Sequence, residues 1–122
     1  MIEYIRKARE RCWKIYDQYY QEDKYKHHDA RYREEIIQYL GPGTRLLDAG
    51  CGAKMAFTHE FATGTSMAVG MDIGELKPIT GEDSYAVRGD LHSLPFKDGS
   101  FDIVISMSVI EHLSNPERAF RE

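Results

Sequence analysis

The sequence predicts an α/β protein in which helices cover both faces of a parallel sheet, a three-layer sandwich, with further helices at the N-terminus. Two observations predict this class. After residue 43, short apolar runs alternate with segments of helical spacing, as is typical of buried parallel strands joined by helices. Polar or glycine residues also end four of these runs, where parallel strands share one edge of the sheet.

Length, charge and cysteine content narrow the class of protein. The chain has 122 residues, 42% of them hydrophobic, and a net charge of −4, which disfavours a nucleic-acid partner. The two cysteines form no CxxC pair and cannot build a disulfide framework. No signal peptide and no apolar run near the length of a membrane helix is present. We expect a cytoplasmic protein without a membrane span.

The N-terminal part predicts two amphipathic helices. Apolar and aromatic side chains recur every three or four positions over residues 2–20 and again from Tyr32 to Leu40. Gly41-Pro42-Gly43 would end the second helix. Two interpretations stay open, a helix pair packed on the main body or a lid over a ligand pocket. The predicted domains are a helical cap at residues 1–42 and a sheet domain at residues 43–122.

The sheet domain is predicted to contain four strands and the helices between them. The strands are predicted at Arg45–Asp48, Met67–Met71, Tyr85–Arg88 and Phe101–Ser106. A helix is predicted from about Met55 to Ala62, and helical turns at Ser108–His112 and from Pro116 onward. The connection between strands 2 and 3 is short and contains Pro78 and Gly81. Any helix in this connection must therefore be a stub.

The predicted ends of the first three strands carry the residues that indicate a ligand site. Leu46-Leu47-Asp48-Ala49-Gly50-Cys51-Gly52 places a carboxylate at the end of strand 1 and glycines in the turn that follows. Glycines allow the backbone to approach a ligand that a Cβ would obstruct, and the carboxylate can meet a cationic group. Asp72 ends strand 2, where Rossmann-like folds hold ribose hydroxyls. Gly89-Asp90-Leu91 adds a further polar group at this edge.

These motifs resemble those of class I S-adenosylmethionine-dependent methyltransferases of type 11, particularly the group that includes ubiquinone and menaquinone biosynthesis enzymes. The matching segments are LLDAGCG, VGMDIGE, GDLHSLPFKDGSFDIVIS and VIEHLSNPERAFRE, and the resemblance runs from about residue 43 to the end. It implies a Rossmann-like fold and S-adenosylmethionine as cofactor, with S-adenosylhomocysteine as product. We expect methyl transfer to an unidentified small-molecule acceptor.

The resemblance also implies a role for individual residues. The segment from Asp48 to Gly52 would lie along the methionine part of the cofactor, Asp72 would take both ribose hydroxyls, and Asp90 with Leu91 would meet the adenine edge. The cofactor-binding residues predicted here are Asp48, Ala49, Gly50, Cys51, Gly52, Asp72, Ile73, Asp90, Leu91 and Ser106. No metal site is predicted, because the histidines lack a ligand spacing.

Two side chains could be interpreted in more than one way. Lys54 stands where the family's loop has its third glycine, so it is either a solvated lysine or a contact to the cofactor carboxylate. His112 is the candidate catalytic base, since an imidazole titrates near neutral pH, and its alternative role is to close a turn by a hydrogen bond. Methyl transfer needs no nucleophilic triad, because the cofactor already activates the sulfonium methyl.

Two other functions compete with this interpretation. A nicotinamide-dependent oxidoreductase fits less well, because a GxGxxG loop begun at Gly50 would place Met55 where a small residue is needed. A non-catalytic S-adenosylmethionine-binding or scaffold protein is indicated by Lys54 and by the short connection after strand 2. An assay of methyl transfer separates this alternative from an enzyme.

Strand 4 predicts that these residues belong to a larger unit. The resembling family has a seven-stranded sheet whose fourth strand is interior, whereas here the apolar run Phe101–Ser106 would be an edge. Apolar edge strands expose unpaired backbone groups and promote association. We therefore expect strands 1–4 to be the N-terminal part of a longer methyltransferase, or a homo-oligomer in which another chain covers strand 4.

Overall fold

The computed structural model describes residues 28–77 and 84–122, together with residues 3, 6, 7, 9–12 and 14 near the N-terminus. The chain divides into two compact units, Met1–Gln38 and Tyr39–Glu122. The domain boundary at residues 42 and 43 and the lid interpretation stay predictions. Across the described residues, no helix combines the length and the apolar character needed to cross a membrane.

Apart from Gln38, which lies in a turn, the described residues of the first unit are helical. The described residues up to 14 are helical, and the rest of the predicted first helix lies outside the described residues. Arg6 contacts Glu3 at 2.7 Å and Glu10 at 2.6 Å, the spacing at which side chains meet on one helix surface. Helix α1 spans His28–Ile37 and so ends three residues earlier than the predicted pattern, which ran to Leu40.

The second unit contains a four-stranded parallel sheet, which confirms the predicted α/β class. Its elements in chain order are β1 (Arg45–Ala49), α2 (Ala56–Ala62), β2 (Met67–Asp72), β3 (Ser84–Arg88), β4 (Ile103–Ile105), a 3₁₀ turn (Ile110–His112) and α3 (Pro116–Arg121). The strand order is β3-β2-β1-β4, and all three pairings are parallel. Between β2 and β3, residues 73–77 are not helical, and residues 78–83 lie outside the described part.

Strand β4 begins two residues later and ends one residue earlier than predicted, and Asp102, just before it, is bonded to β1 through its carboxylate. This carboxylate accepts hydrogen bonds from the backbone N–H of Arg45 at 2.8 Å and from its guanidinium at 2.9 and 3.0 Å. The guanidinium lowers the pKa of Asp102 to about 2. The backbone N–H of Asp102 also donates to the carbonyl oxygen of Arg45 at 2.9 Å, and the paired residues of the ladder begin at Ile103, opposite Leu46.

The two faces of the sheet bury different sets of side chains. On one face, Leu47, Ala49, Val69 and Met71 form a core to which apolar residues of the segment after β3 are added. On the other face, α2 packs against β1, β2 and β3. A Cβ at Gly70 would overlap Cε of Met55 and lie 2.7 Å from Oγ1 of Thr58. The absence of a side chain at Gly70 thus lets α2 lie close to the sheet.

The strand order places a crevice at the end of β1. Strands β2 and β3 lie on one side of β1 and β4 on the other, so the order of the sheet reverses at β1. Open α/β sheets bind their ligands outside the carboxyl ends of the strands at such a reversal.

Candidate functional site

The loop after β1 continues the hydrogen bonding of the sheet before it turns toward α2. The N–H groups of Gly50 and Cys51 both donate to the carbonyl oxygen of Met71, at 2.7 and 3.1 Å. Gly50 and Gly52 have φ angles of 86° and 69°, a left-handed conformation that favours glycine. The predicted glycine turn is therefore present and is attached to the end of β2.

Asp72 connects this loop to the turn after β2. Its Oδ2 accepts a hydrogen bond from the N–H of Gly52, and its Oδ1 accepts one from the N–H of Gly74, both at 2.9 Å. Each carboxylate oxygen has a second lone pair that can accept a further hydrogen bond. Asp72 therefore has a fixed position and can still accept from two hydroxyl groups of a ligand.

A cleft of about 540 Å³ lies at this edge of the sheet. Its volume is within the range of about 300–1,000 Å³ that small-molecule sites occupy. The structure brings seven of the predicted site residues together in its lining, namely Gly50, Gly52, Asp72, Ile73, Asp90, Leu91 and His112. The ends of three strands and the segment after β4 thus form one pocket.

Asp48 and Cys51 do not line this cleft. The Asp48 side chain is buried under α2 and accepts a hydrogen bond of 2.7 Å from Oγ1 of Thr58. Burial raises the pKa of Asp48, and the bond from Thr58 opposes that rise. Burial, with the nearby charges of Asp48 and Asp72, also raises the pKa of Cys51 to about 12. The Cys51 thiol is therefore protonated at neutral pH and is a poor nucleophile.

Ala49 and Ser106 lie in the lining of a second cleft, of about 420 Å³, whose other lining residues are mainly apolar. The Ser106 hydroxyl donates a hydrogen bond of 2.9 Å to the carbonyl oxygen of Ala49. This bond joins the ends of β1 and β4. Leu91 and Leu113 line both clefts, so the two share a wall.

In the structure, packing requires a glycine at position 50, whereas the sequence predicted that the close approach of a ligand would require it. A Cβ at Gly50 would overlap Cγ2 of Val109 and lie 2.9 Å from its Cγ1. At Gly52, by contrast, a Cβ would meet no atom within 4 Å. The loop therefore packs against Val109 at its first glycine and has open space at its second. Lys54 is exposed and does not line the cleft, which fits the solvated interpretation.

Sequence reasoning missed His92, which also lines the cleft. Its ring Nδ1 lies 2.7 Å from Oδ1 of Asp90, and its backbone N–H donates to the same oxygen at 2.9 Å. These bonds lower the pKa of Asp90, the backbone bond most strongly. The signal in the sequence is the spacing Asp-x-His directly after a strand, where a carboxylate can bond the residue two positions later.

The imidazole of His112 also lines the cleft, in the 3₁₀ turn after β4. The turn is closed by its backbone N–H, which donates to the carbonyl oxygen of Val109 at 2.9 Å. His112 thus closes the turn through its backbone, and it lines the same pocket as Asp72 and Asp90.

Comparison with known proteins identifies the family. Residues 47–122 match the methyltransferase domain family. The chain belongs to this family. It is similar to the malonyl-[acyl-carrier protein] O-methyltransferase of Erwinia pyrifoliae, with 30% identity over 73% of this chain and 36% of that protein. It is also similar to the 18S rRNA (guanine(1575)-N(7))-methyltransferase of Saccharomyces cerevisiae, with 33% identity over 68% of this chain and 32% of that protein.

The fold is shared with solved methyltransferase-like structures. The YcgJ protein of Bacillus subtilis superposes with a TM-score of 0.65 and 24% sequence identity, covering 78% of this chain and 44% of that one. This likeness concerns the fold alone. The chain spans less than half the length of each of these three proteins.

Proposed function

We propose that the 540 Å³ cleft binds S-adenosylmethionine and that the chain is the cofactor-binding part of a methyltransferase acting on a small molecule. The observation that carries this proposal is the meeting of Gly52, Asp72 and Asp90 in one cleft where the strand order reverses. Each comes from a separate strand end, and each matches a position to which the family resemblance assigns a contact with the cofactor.

The residues present fit this cofactor. Asp72 retains two lone pairs for the ribose hydroxyls, and the open space at Gly52 leaves room for a ligand beside the loop backbone. Asp90 offers a carboxylate to the amino group of adenine, and Leu91 offers an apolar contact. When bound, S-adenosylmethionine supplies a methyl group that its sulfonium already activates. The protein then has to orient this group and exclude water.

Three of the predicted cofactor residues, Asp48, Ala49 and Ser106, would act on the site indirectly. The hydrogen bond from Thr58 to Asp48 holds the end of β1 under α2. Ser106 fixes the carbonyl oxygen of Ala49, the last residue before the loop. We propose that these groups set the position of the loop backbone and do not themselves contact the cofactor.

His112 is the residue proposed to accept a proton from the acceptor. It lines the cleft beside the loop, and a neutral imidazole is a suitable base. A small acceptor is supported by the charge after residue 45, where 12 acidic side chains outnumber 6 basic ones. Such a surface repels a phosphate backbone. The relatives named above act on an acyl-carrier protein substrate and on rRNA, so a transfer assay should include both kinds of acceptor.

Calorimetry with S-adenosylmethionine and S-adenosylhomocysteine tests the proposal on the 122-residue chain. We expect binding, and we expect Asp72→Ala to weaken it by about 1–3 kcal/mol because two hydrogen bonds to a charged acceptor are lost. Glu75→Gln is the matched control, because Glu75 is an exposed acid three residues away that does not line the cleft. Equal affinity of the Asp72→Ala variant and the unchanged chain would contradict the ribose assignment.

A methyl-transfer assay on the complete protein, of which this chain is proposed to be the cofactor-binding part, separates an enzyme from a non-catalytic binding protein. Cofactor binding without methyl transfer to any fraction of a cell extract would favour the non-catalytic binding protein. If His112 is the base, His112→Ala would reduce methyl transfer by a larger factor than it weakens cofactor binding.

A further inference from the structure

The carboxylate of Asp90 is held through one of its two oxygens. Oδ1 accepts both the backbone N–H of His92 at 2.9 Å and a hydrogen bond with its ring Nδ1 at 2.7 Å. Within the described part of the chain, Oδ2 has no hydrogen-bond donor, and the Asp90 side chain is 50% exposed in the cleft. Two bonds to one oxygen orient the carboxylate and leave the other oxygen for a ligand.

The protonation of the His92 ring follows from its second contact. The backbone N–H of Asn115 donates to Nε2 of His92 at 3.2 Å. A backbone N–H can only donate, so Nε2 must carry a lone pair and the proton of the neutral ring must lie on Nδ1. Nδ1–H is then the donor to Asp90. The His92 side chain is only 16% exposed, so the ring itself is largely removed from water.

Asn115 is itself fixed. Its Oδ1 accepts a hydrogen bond of 3.0 Å from the N–H of Arg118 and so caps α3, and Pro116 occupies the first position of that helix. A continuous series of hydrogen bonds therefore runs from the start of α3 through the imidazole to the carboxylate in the cleft.

We infer that His92 is a positioning residue for Asp90, held as the Nδ1–H tautomer by Asn115, and that it directs Oδ2 toward a hydrogen-bond donor of the ligand. This inference rests on the proposed function, in which that donor is the amino group of adenine. An oriented carboxylate selects a donor and disfavours an acceptor. His92 therefore contributes to the choice between an adenosyl ligand and its deaminated, inosyl counterpart, which carries a carbonyl oxygen at the same position.

Two substitutions separate the two contacts of the ring. In His92→Asn, the amide nitrogen can take the place of Nδ1 and bond Asp90, but nothing replaces Nε2. In His92→Gln, the longer side chain can take the place of Nε2 and accept from Asn115, but the bond to Asp90 is lost. His92→Ala loses both contacts, and thermal melting of each variant shows whether it is folded.

The readout is the dissociation constant for S-adenosylhomocysteine and for S-inosylhomocysteine, measured by calorimetry on the 122-residue chain. We expect His92→Asn to keep the preference for the adenosyl ligand within about threefold, and His92→Gln and His92→Ala to reduce it about tenfold, the value of one hydrogen bond. Binding of the inosyl ligand should change little. The ¹⁵N shifts of the imidazole in the unliganded chain should show the Nδ1–H tautomer.

The opposite pattern would overturn the inference. If His92→Gln keeps the preference and His92→Asn loses it, His92 serves to hold α3 and not Asp90. An Nε2–H tautomer, or a preference that all three folded variants retain, also overturns it while the proposed function stands. If the unchanged chain binds neither ligand, the proposed function fails and the assignment of the ligand fails with it, whatever tautomer is observed.

Discussion

The inner and outer strands of the sheet differ in how completely this chain covers them. β1 and β2 each have four consecutive buried residues, whereas β3 and β4 have one each. Tyr85 on β3 and Val104 on β4 are 55% and 60% exposed. Buried parallel strands need cover on both faces, and only the inner pair has it. The strands that position the loop and Asp72 are thus the ones that the unit buries most completely.

Gly50→Ala should have the largest effect on stability, because it tests the packing directly after an inner strand. The new Cβ would overlap Val109 and impose a left-handed conformation on alanine, so we expect a loss of about 3 kcal/mol in the free energy of unfolding, measured in urea. Gly99→Ala is the matched control. Gly99 has φ 72° but no atom within 4 Å of a Cβ, so only the backbone cost of about 1 kcal/mol applies. Equal losses in both variants would show that Val109 yields easily.

Gly70→Ala probes the contact of α2 with β2. A Cβ would press on Met55 and on Thr58, and we expect a loss of about 1–3 kcal/mol. Adding Met55→Ala would make room for it, so the double variant should lose less than the sum of the two single losses. Strict additivity would mean that α2 shifts as a body instead.

The Arg45–Asp102 pair connects an inner strand to an outer one and should give a smaller, pH-dependent effect. The pKa of Asp102 is about 2 in the folded chain, below the value of about 3.9 of a free aspartate. The stabilisation is therefore present above about pH 4 and is lost as the pH falls toward 2. Asp102→Asn should reduce stability at pH 7 and cease to differ from the unchanged chain near pH 2. Asp98→Asn, which replaces another exposed acid before β4, is the control and should change stability little at pH 7.

Val104→Thr should have the smallest effect on the isolated chain, below about 0.5 kcal/mol, because this side chain of β4 is mostly exposed. A larger loss that depends on protein concentration would show that copies of the chain cover β4. Sedimentation of the unchanged chain and of the Val104→Thr variant at several protein concentrations measures this association. The expectation that strand 4 is covered by another chain or by further strands stays a prediction.

The sequence was sufficient to predict β1, β2 and β3 to within one residue at each end, and β4 to within two. Apolar runs bounded by Asp and Gly mark buried parallel strands, and parallel strands bring their carboxyl ends to one edge. Asp72 and Asp90 could therefore be predicted to lie together. The period of two along β1 could also have placed Asp48 on the α2 side with Leu46, opposite Leu47.

Other features depend on contacts between distant segments, which periodicity does not reveal. Val109 excludes a side chain at Gly50 from 59 positions away, and Asn115 sets the tautomer of His92 from 23 positions away. Whether Asp102 pairs with Arg45 or continues β4 depends on the register of two strands, which only the assembled sheet defines.

Met55, which directly precedes α2, helps to determine the conformation of the glycine loop. It adopts a left-handed conformation with φ 50° and ψ 41° just before α2, without a side-chain cap, and it is completely buried. Such a conformation costs a non-glycine residue about 1–2 kcal/mol, which the packing around Met55 must offset. The conformation of the glycine loop therefore does not depend on the seven residues Leu46–Gly52 alone. If the same motif were placed between another strand and helix that lack this pocket, we expect the loop to change its conformation. It would then lose its ability to hold a ligand.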